Sequence, residues 1–189
     1  MSDTVDNTHT LRNTLWLTPS QTAGPYLSIG LLRELITNEL VDSGDPRAVR
    51  IRGTLLDGAG EGVPDGLVES WQADDSGRYG SDGFLGFGRS GTAEGGRFEI
   101  VTVKPGRVPW PAGGEQAPHV LFVVFARGLL KHVVTRMYFP DEEEANATDP
   151  VLSGLDEAAR STLVATAEGD DLRFDIRLQG PRQTTFFAV

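Results

Sequence analysis

The chain has 189 residues, of which 39% are hydrophobic and 23% charged, a size and composition that fit one globular domain and exclude collagen-like and fully disordered classes. Lys and Arg number 17 against 27 Asp and Glu, a net charge of −10. Such an acidic surface repels phosphate backbones and anionic lipid headgroups, which argues against nucleic acid and membrane as partners. Cysteine is absent, so disulfide frameworks, thiolate nucleophiles, zinc ribbons and iron–sulfur clusters are all removed. Any site needing imidazoles or phenolates must draw on His9, His119, His132, Tyr26, Tyr79 and Tyr138. No signal-like stretch opens the chain, and no apolar run approaches the ~18 residues of a membrane span, so a soluble cytoplasmic protein is expected.

In chain order, residues 1–16 are polar and aperiodic and read as an arm, leaving 17–189 as a single domain. LTPSQTAGPY, with Pro19 and Pro25 around Gly24, reads as an ordered loop. Leu31 to Leu40 suggests a helical turn or two. Val49 to Leu56 and Leu67 to Ala73 alternate as half-buried strands, joined through DGAGEGVPDG as a hairpin or Greek-key element. Asp74 to Gly96 is glycine-rich and reads mostly as loop. Arg97 to Val103, Val120 to Ala126, His132 to Phe139 and Leu172 to Leu178 are further strands, and Thr184 to Val189 a last one. The second of these, VLFVVFA, is apolar on both faces and therefore central. Asp141 to Ala147 and Asp156 to Ala167 read as short helices, with acids in their first turns where the helix dipole favours them. Short strands between frequent turns predict an all-β fold, a β-sandwich core with short flanking helices and long loops.

Few residues point to chemistry on type and spacing alone. His119 opens the central strand, but the position two residues on, where a second ligand on the same strand face would stand, is Leu121. It reads as a hydrogen-bonded structural histidine, and His132 has no spaced partner. The acids Asp141 to Glu144 lack the alternating spacing of a calcium loop. No nucleophile elbow, P-loop or dinucleotide fingerprint is present, and GAGEG at 58–62 sits in a turn rather than before a helix. Arg127 leaves the apolar strand just before Gly128. That position suits either an ordinary solvated strand-end arginine or a guanidinium held to meet a carboxylate.

Six blocks carry a wider signal: TPSQTAGPY (18–26), VESWQADDSGRYG (68–80), TVKPGRVPW (102–110), PHVLFVVFARG (118–128), RMYFPDE (136–142) and FDIRLQG (174–180). In this order they resemble the intradiol ring-cleavage dioxygenases, and among them the alpha-type chains of the two-chain enzymes that act on protocatechuate. The resemblance runs from Leu17 to the C-terminus. It implies a β-sandwich, an alpha–beta protomer in a larger oligomer, and a catalytic beta subunit whose Fe(III) is held by two tyrosinates and two histidines. Catecholate binding to that iron and O2 would open the ring of protocatechuate between its hydroxyls, giving 3-carboxy-cis,cis-muconate.

Against that ligand pattern this chain departs at three of four positions. His119 matches the first histidine, but Leu121 stands where the second belongs and Val108 replaces the tyrosine of the KPGRVPW block. The loop GSDGFLGFGRSG contains no tyrosine for the fourth. The resemblance therefore implies that this chain has no metal site and no catalytic residue of its own, and is inactive alone. It also implies that Thr22, Gly24, Pro25 and Arg127 border the partner's substrate cavity. A stand-alone β-sandwich binding or structural module is the alternative. An active dioxygenase on a related catechol is disfavoured by the missing ligands.

Overall fold

Alternation along RIRGTLL sets the first strand: Ile51, Gly53 and Leu55 turn inward, while Arg50, Arg52 and Thr54 turn out, as a period of two requires. The computed structural model describes residues 19–22, 30–31 and 37–188. The expected arm at 1–16 therefore lies outside the described residues, as do Gly24 and Pro25.

In chain order the strands are β1 (Ala48–Leu56), β2 (Leu67–Trp71), β3 (Phe87–Gly91), β4 (Arg97–Val103), β5 (Val108–Pro109), β6 (Glu115–Gln116), β7 (His119–Phe125), β8 (Val133–Tyr138), β9 (Thr166–Glu168), β10 (Asp171–Arg173) and β11 (Ile176–Arg177). The helices among the described elements are short: α1 (Glu143–Thr148) and α2 (Glu157–Ser161), with 3-10 turns at Glu94–Gly96 and Leu152–Gly154. One sheet is built on β1, which pairs antiparallel with β4 on one edge and parallel with β10 and then β11 on the other; β9 pairs with β10. The other sheet runs β3-β2-β7-β8, antiparallel throughout. The fold is thus the expected all-β sandwich.

Between the sheets lies one apolar cluster. Ile51, Leu55, Phe98 and Ile100 from the first sheet meet Val68, Val120, Phe122, Val124 and Met137 from the second, each such side chain contributing about 1.5–3 kcal/mol by leaving water. Phe122 takes Phe98 edge-on and stacks on Phe174. Gln72 bridges the two sheets from within this core: its amide donates to Val103 O at 2.8 Å and its carbonyl accepts from the Thr102 hydroxyl at 2.9 Å. Burying a polar group so deeply is tolerable because both ends are satisfied. The outer face of the first sheet is solvated and carries a charge ladder, Arg50 to Glu99 at 2.6 Å and Arg52 to Glu99 at 3.0 Å, continued by Arg52 to Asp171.

Several boundaries differ from the sequence reading. The glycine-rich stretch contains β3, because FGRSG is recruited by the ladder of β2 and not by its own apolar content. DGAGEGVPDG does not join paired neighbours: a tight turn returns the chain at the Leu56–Gly62 bridge, after which it crosses to the other sheet. Leu172 to Leu178 is interrupted between β10 and β11, where the Asp175 carboxylate takes the Thr54 amide in place of a ladder carbonyl. The second helix ends at Ser161, and its expected last residues enter β9. Asp156 caps its start by accepting from Ala159 N at 2.8 Å. Thr184 to Val189 forms no ladder among the described residues; Phe187 makes one bridge to Val134. Residues 30 and 31 are helical, 32–36 lie outside the described residues, and 37–40 are not helical, pairing instead with Val101 and Arg89.

Candidate functional site

The connection from β7 to β8 leaves the sandwich through a tight turn, Leu129 N donating to Ala126 O at 3.1 Å. Gly128, with φ at +90°, fills the third position of this turn, which a side chain would strain. That geometry projects Arg127 outward. The Gly128 amide donates to the Thr22 hydroxyl at 3.1 Å. Two segments 106 residues apart in the chain are thereby held side by side.

Two grooves flank this turn. One, of about 560 Å³, is lined by Asp57, Glu61, Pro64, Arg127, Leu129 and Gln179 among others. The second, of about 320 Å³, includes Gln21, Phe125, Leu130, Lys131 and His132. Arg127 stands 3.7 Å from Asp65, with the two side chains 59% and 53% exposed. Its guanidinium is oriented by an acid and remains open to solvent, an arrangement able to receive a carboxylate. Thr22 and Arg127 are thus brought together, whereas Gly24 and Pro25 lie outside the described residues. Asp65 was missed in the sequence; its only signal there is the turn tripeptide Pro64-Asp65-Gly66.

At the opposite end of β7 the chemistry is different. His119 is 4% exposed, its Nδ1 2.8 Å from Ala117 O, so Nδ1 carries the proton that Ala117 O accepts. Burial, with Arg136 nearby, pushes its pKa down to about 4. The ring lies beside Tyr138, which is itself committed: its hydroxyl donates to Asp149 at 3.2 Å and accepts from Arg136 at 3.3 Å. Burial pushes the Tyr138 phenol well above its ordinary value, so it is not a ready tyrosinate. Asp149, fully buried, also accepts from the amides of Ala117, Val151 and Leu152 at 2.8–2.9 Å. This polar network was not visible in the sequence beyond an acid preceding Pro150.

The residues here do not fit a ferric ion. Leu121 and Val108 offer no donor atoms, Tyr138 is hydrogen-bonded into the network, and one imidazole cannot hold the metal. Among the described residues, no group of three or more His, Asp or Glu side chains is disposed to hold a metal. No helix among them is long and apolar enough to cross a membrane.

A family model described as Dioxygenase matches residues 31–180. This chain belongs to the intradiol dioxygenase family. It is 40% identical to the protocatechuate 3,4-dioxygenase alpha chain of Burkholderia cepacia, over 93% of this chain and 99% of that one. To the beta chain of the same enzyme it is 36% identical, over 80% of this chain and 74% of the other. Among solved structures, the dioxygenase domain of a dioxygenase carbohydrate-binding protein fusion from Streptomyces sp. SirexAA-E aligns with a TM-score of 0.59 at 27% identity, covering 86% of this chain and 98% of that one. The intradiol family uses iron.

Proposed function

We propose that this chain is the alpha-type subunit of a protocatechuate 3,4-dioxygenase, pairing with a catalytic beta subunit that holds the Fe(III), in a cytoplasmic assembly of several alpha–beta protomers. The reaction of that assembly is cleavage of the protocatechuate ring by O2 between its two hydroxyls, to 3-carboxy-cis,cis-muconate. This chain contributes the entrance: Thr22, Gly24, Pro25 and Arg127 border the partner's cavity, and the body of the sandwich supports it.

The observation that carries this reading is the Thr22 to Gly128 hydrogen bond, which sets Arg127 at a groove in a chain whose own histidine site cannot hold iron. Protocatechuate brings a carboxylate beside its phenolic oxygens. A cation about 4 Å from that carboxylate, at an effective dielectric of 20, gains roughly 4 kcal/mol before desolvation, while the dispersed acids of the surface are damped beyond a Debye length of about 8 Å. One local arginine therefore outweighs the distant part of the net charge of −10, while the acids beside it, Asp57, Glu61 and Asp65, reduce the gain. Arg127 attracts and orients the substrate and takes no part in bond breaking.

The test is co-expression with a beta-type chain, metal analysis, and oxygen uptake on protocatechuate. Iron is expected in the complex and absent from this chain purified alone, and Arg127→Ala is expected to raise KM several-fold, most at low salt. Stoichiometric iron in the isolated chain, full turnover by the beta chain without this one, or an unchanged KM in Arg127→Ala would each overturn the reading.

A further inference from the structure

Asp65 is set on a rigid mount. Its backbone has φ at +60°, and it is the one non-glycine residue with positive φ among those described. Aspartate tolerates this left-handed conformation better than most residues, yet it is kept only where the surroundings enforce it. Here the enforcement is the hydroxyl of Thr92, largely buried, which donates to Val63 O at 2.8 Å and accepts from Gly66 N at 2.7 Å. One side chain thus clamps the turn on both sides of Asp65. Its carboxylate is carried by the β1–β2 connection to 3.7 Å from Arg127, which stands on the β7–β8 turn.

We propose that Asp65 is a built-in counter-ion that occupies Arg127 and competes for it with anionic ligands. This rests on the reading of Arg127 as the group that meets the substrate carboxylate. At 3.7 Å, with both partners more than half exposed, the pair is weak enough to exchange for an incoming carboxylate. Ring opening creates two further carboxylates, so the product is held more tightly than the substrate by any uncompensated cation. An acid beside Arg127 offsets that retention and speeds the exchange of product for substrate. Asp57 and Glu61 line the same groove and add to the repulsion, but only Asp65 among the described acids is in ion-pair range of the guanidinium.

The test uses the complex assembled with a beta-type chain. Asp65→Asn keeps the shape and the tolerance of positive φ while removing the charge, and Asp65→Gly accepts the same backbone without any side chain. In both variants KM for protocatechuate should fall by about two- to fivefold, the range open to an exposed pair, and the product inhibition constant should fall by a larger factor. KM for catechol, which lacks the carboxylate, should move less. A purely structural role for Asp65 would shift the two substrates alike. If Arg127→Ala raises KM while neither Asp65 variant changes KM or product inhibition, this inference fails and the entrance reading stands. An unchanged KM in Arg127→Ala removes both.

Discussion

The Thr22 hydroxyl accepts the amide of Gly128 at 3.1 Å, so the segment before Gly24 and the turn bearing Arg127 are positioned as one unit. An exposed bond of this kind contributes about 1 kcal/mol. Thr22→Ala is therefore expected to raise KM for protocatechuate in the assembled enzyme by up to about fivefold, with little change in melting temperature, while Thr22→Ser retains the wild-type value. Equal kinetics in both variants would show that the bond does not position Arg127.

His119 makes stability depend on pH. Its folded-state pKa of about 4 lies below the ordinary 6.5, so the unfolded chain takes up the proton first. Stability present above about pH 6.5 is then lost progressively as pH falls toward 4, by on the order of 3 kcal/mol in all. Denaturant titrations at successive pH values should show a shallower decline for His119→Asn, whose amide nitrogen is the nearest stand-in for Nδ1. Parallel profiles for wild type and variant between pH 6.5 and 4 would contradict the burial argument.

Asp149 collects four donors on one fully buried carboxyl. Asp149→Ala leaves three backbone amides and the Tyr138 hydroxyl without an acceptor, at about 1–3 kcal/mol each. A loss of at least about 3 kcal/mol is expected, or roughly 6–12 °C in Tm for a chain of this size. Asp149→Asn should fall between, since it keeps one acceptor oxygen. A melting curve for Asp149→Ala within a degree or two of wild type would refute the assignment.

Gly53 faces Phe98 across the β1–β4 ladder, and a Cβ there would stand 2.0 Å from Phe174 O and 2.4 Å from the Phe98 ring. Backbone on one side and a packed aromatic on the other leave nothing free to yield. Gly53→Ala is expected to destabilise by 3 kcal/mol or more, beyond the usual ~1–3 kcal/mol of overpacking, since the obstruction is main chain. Chemical denaturation measures this directly; Thr54→Ala, one residue along on the solvated face, is the control.

Strands with a strong local signal were legible because their partners only confirm what the residues already demand: β4 runs from Arg97 to Val103 as read, and the continuous apolar run VLFVVF lies in β7, between β2 and β8. β3 was not, since FGRSG becomes a strand only by adding to β2, and a ladder contributed by a neighbour leaves no apolar signature. The break between β10 and β11 was hidden for the same reason: Asp175 substitutes for a carbonyl only once β1 lies alongside. Around the site, Arg127 was singled out by its place at a strand end before Gly128 and Thr22 only on a family block, and Asp65 not at all.

The amino-acid sequence by itself determined the all-β class, the acidic surface and the lack of ligands at Val108 and Leu121, because these follow from residue identity and from local period. Tertiary structure alone decided that Thr22 meets the Arg127 turn, that Asp65 stands 3.7 Å from the guanidinium, and that His119 is buried against Tyr138. The first two are contacts between segments far apart in the chain, and the third depends on the register in which β7 pairs with β8. Local periodicity carries no information about which distant turn a given turn will face, and that is set only when two sheets close on a common core.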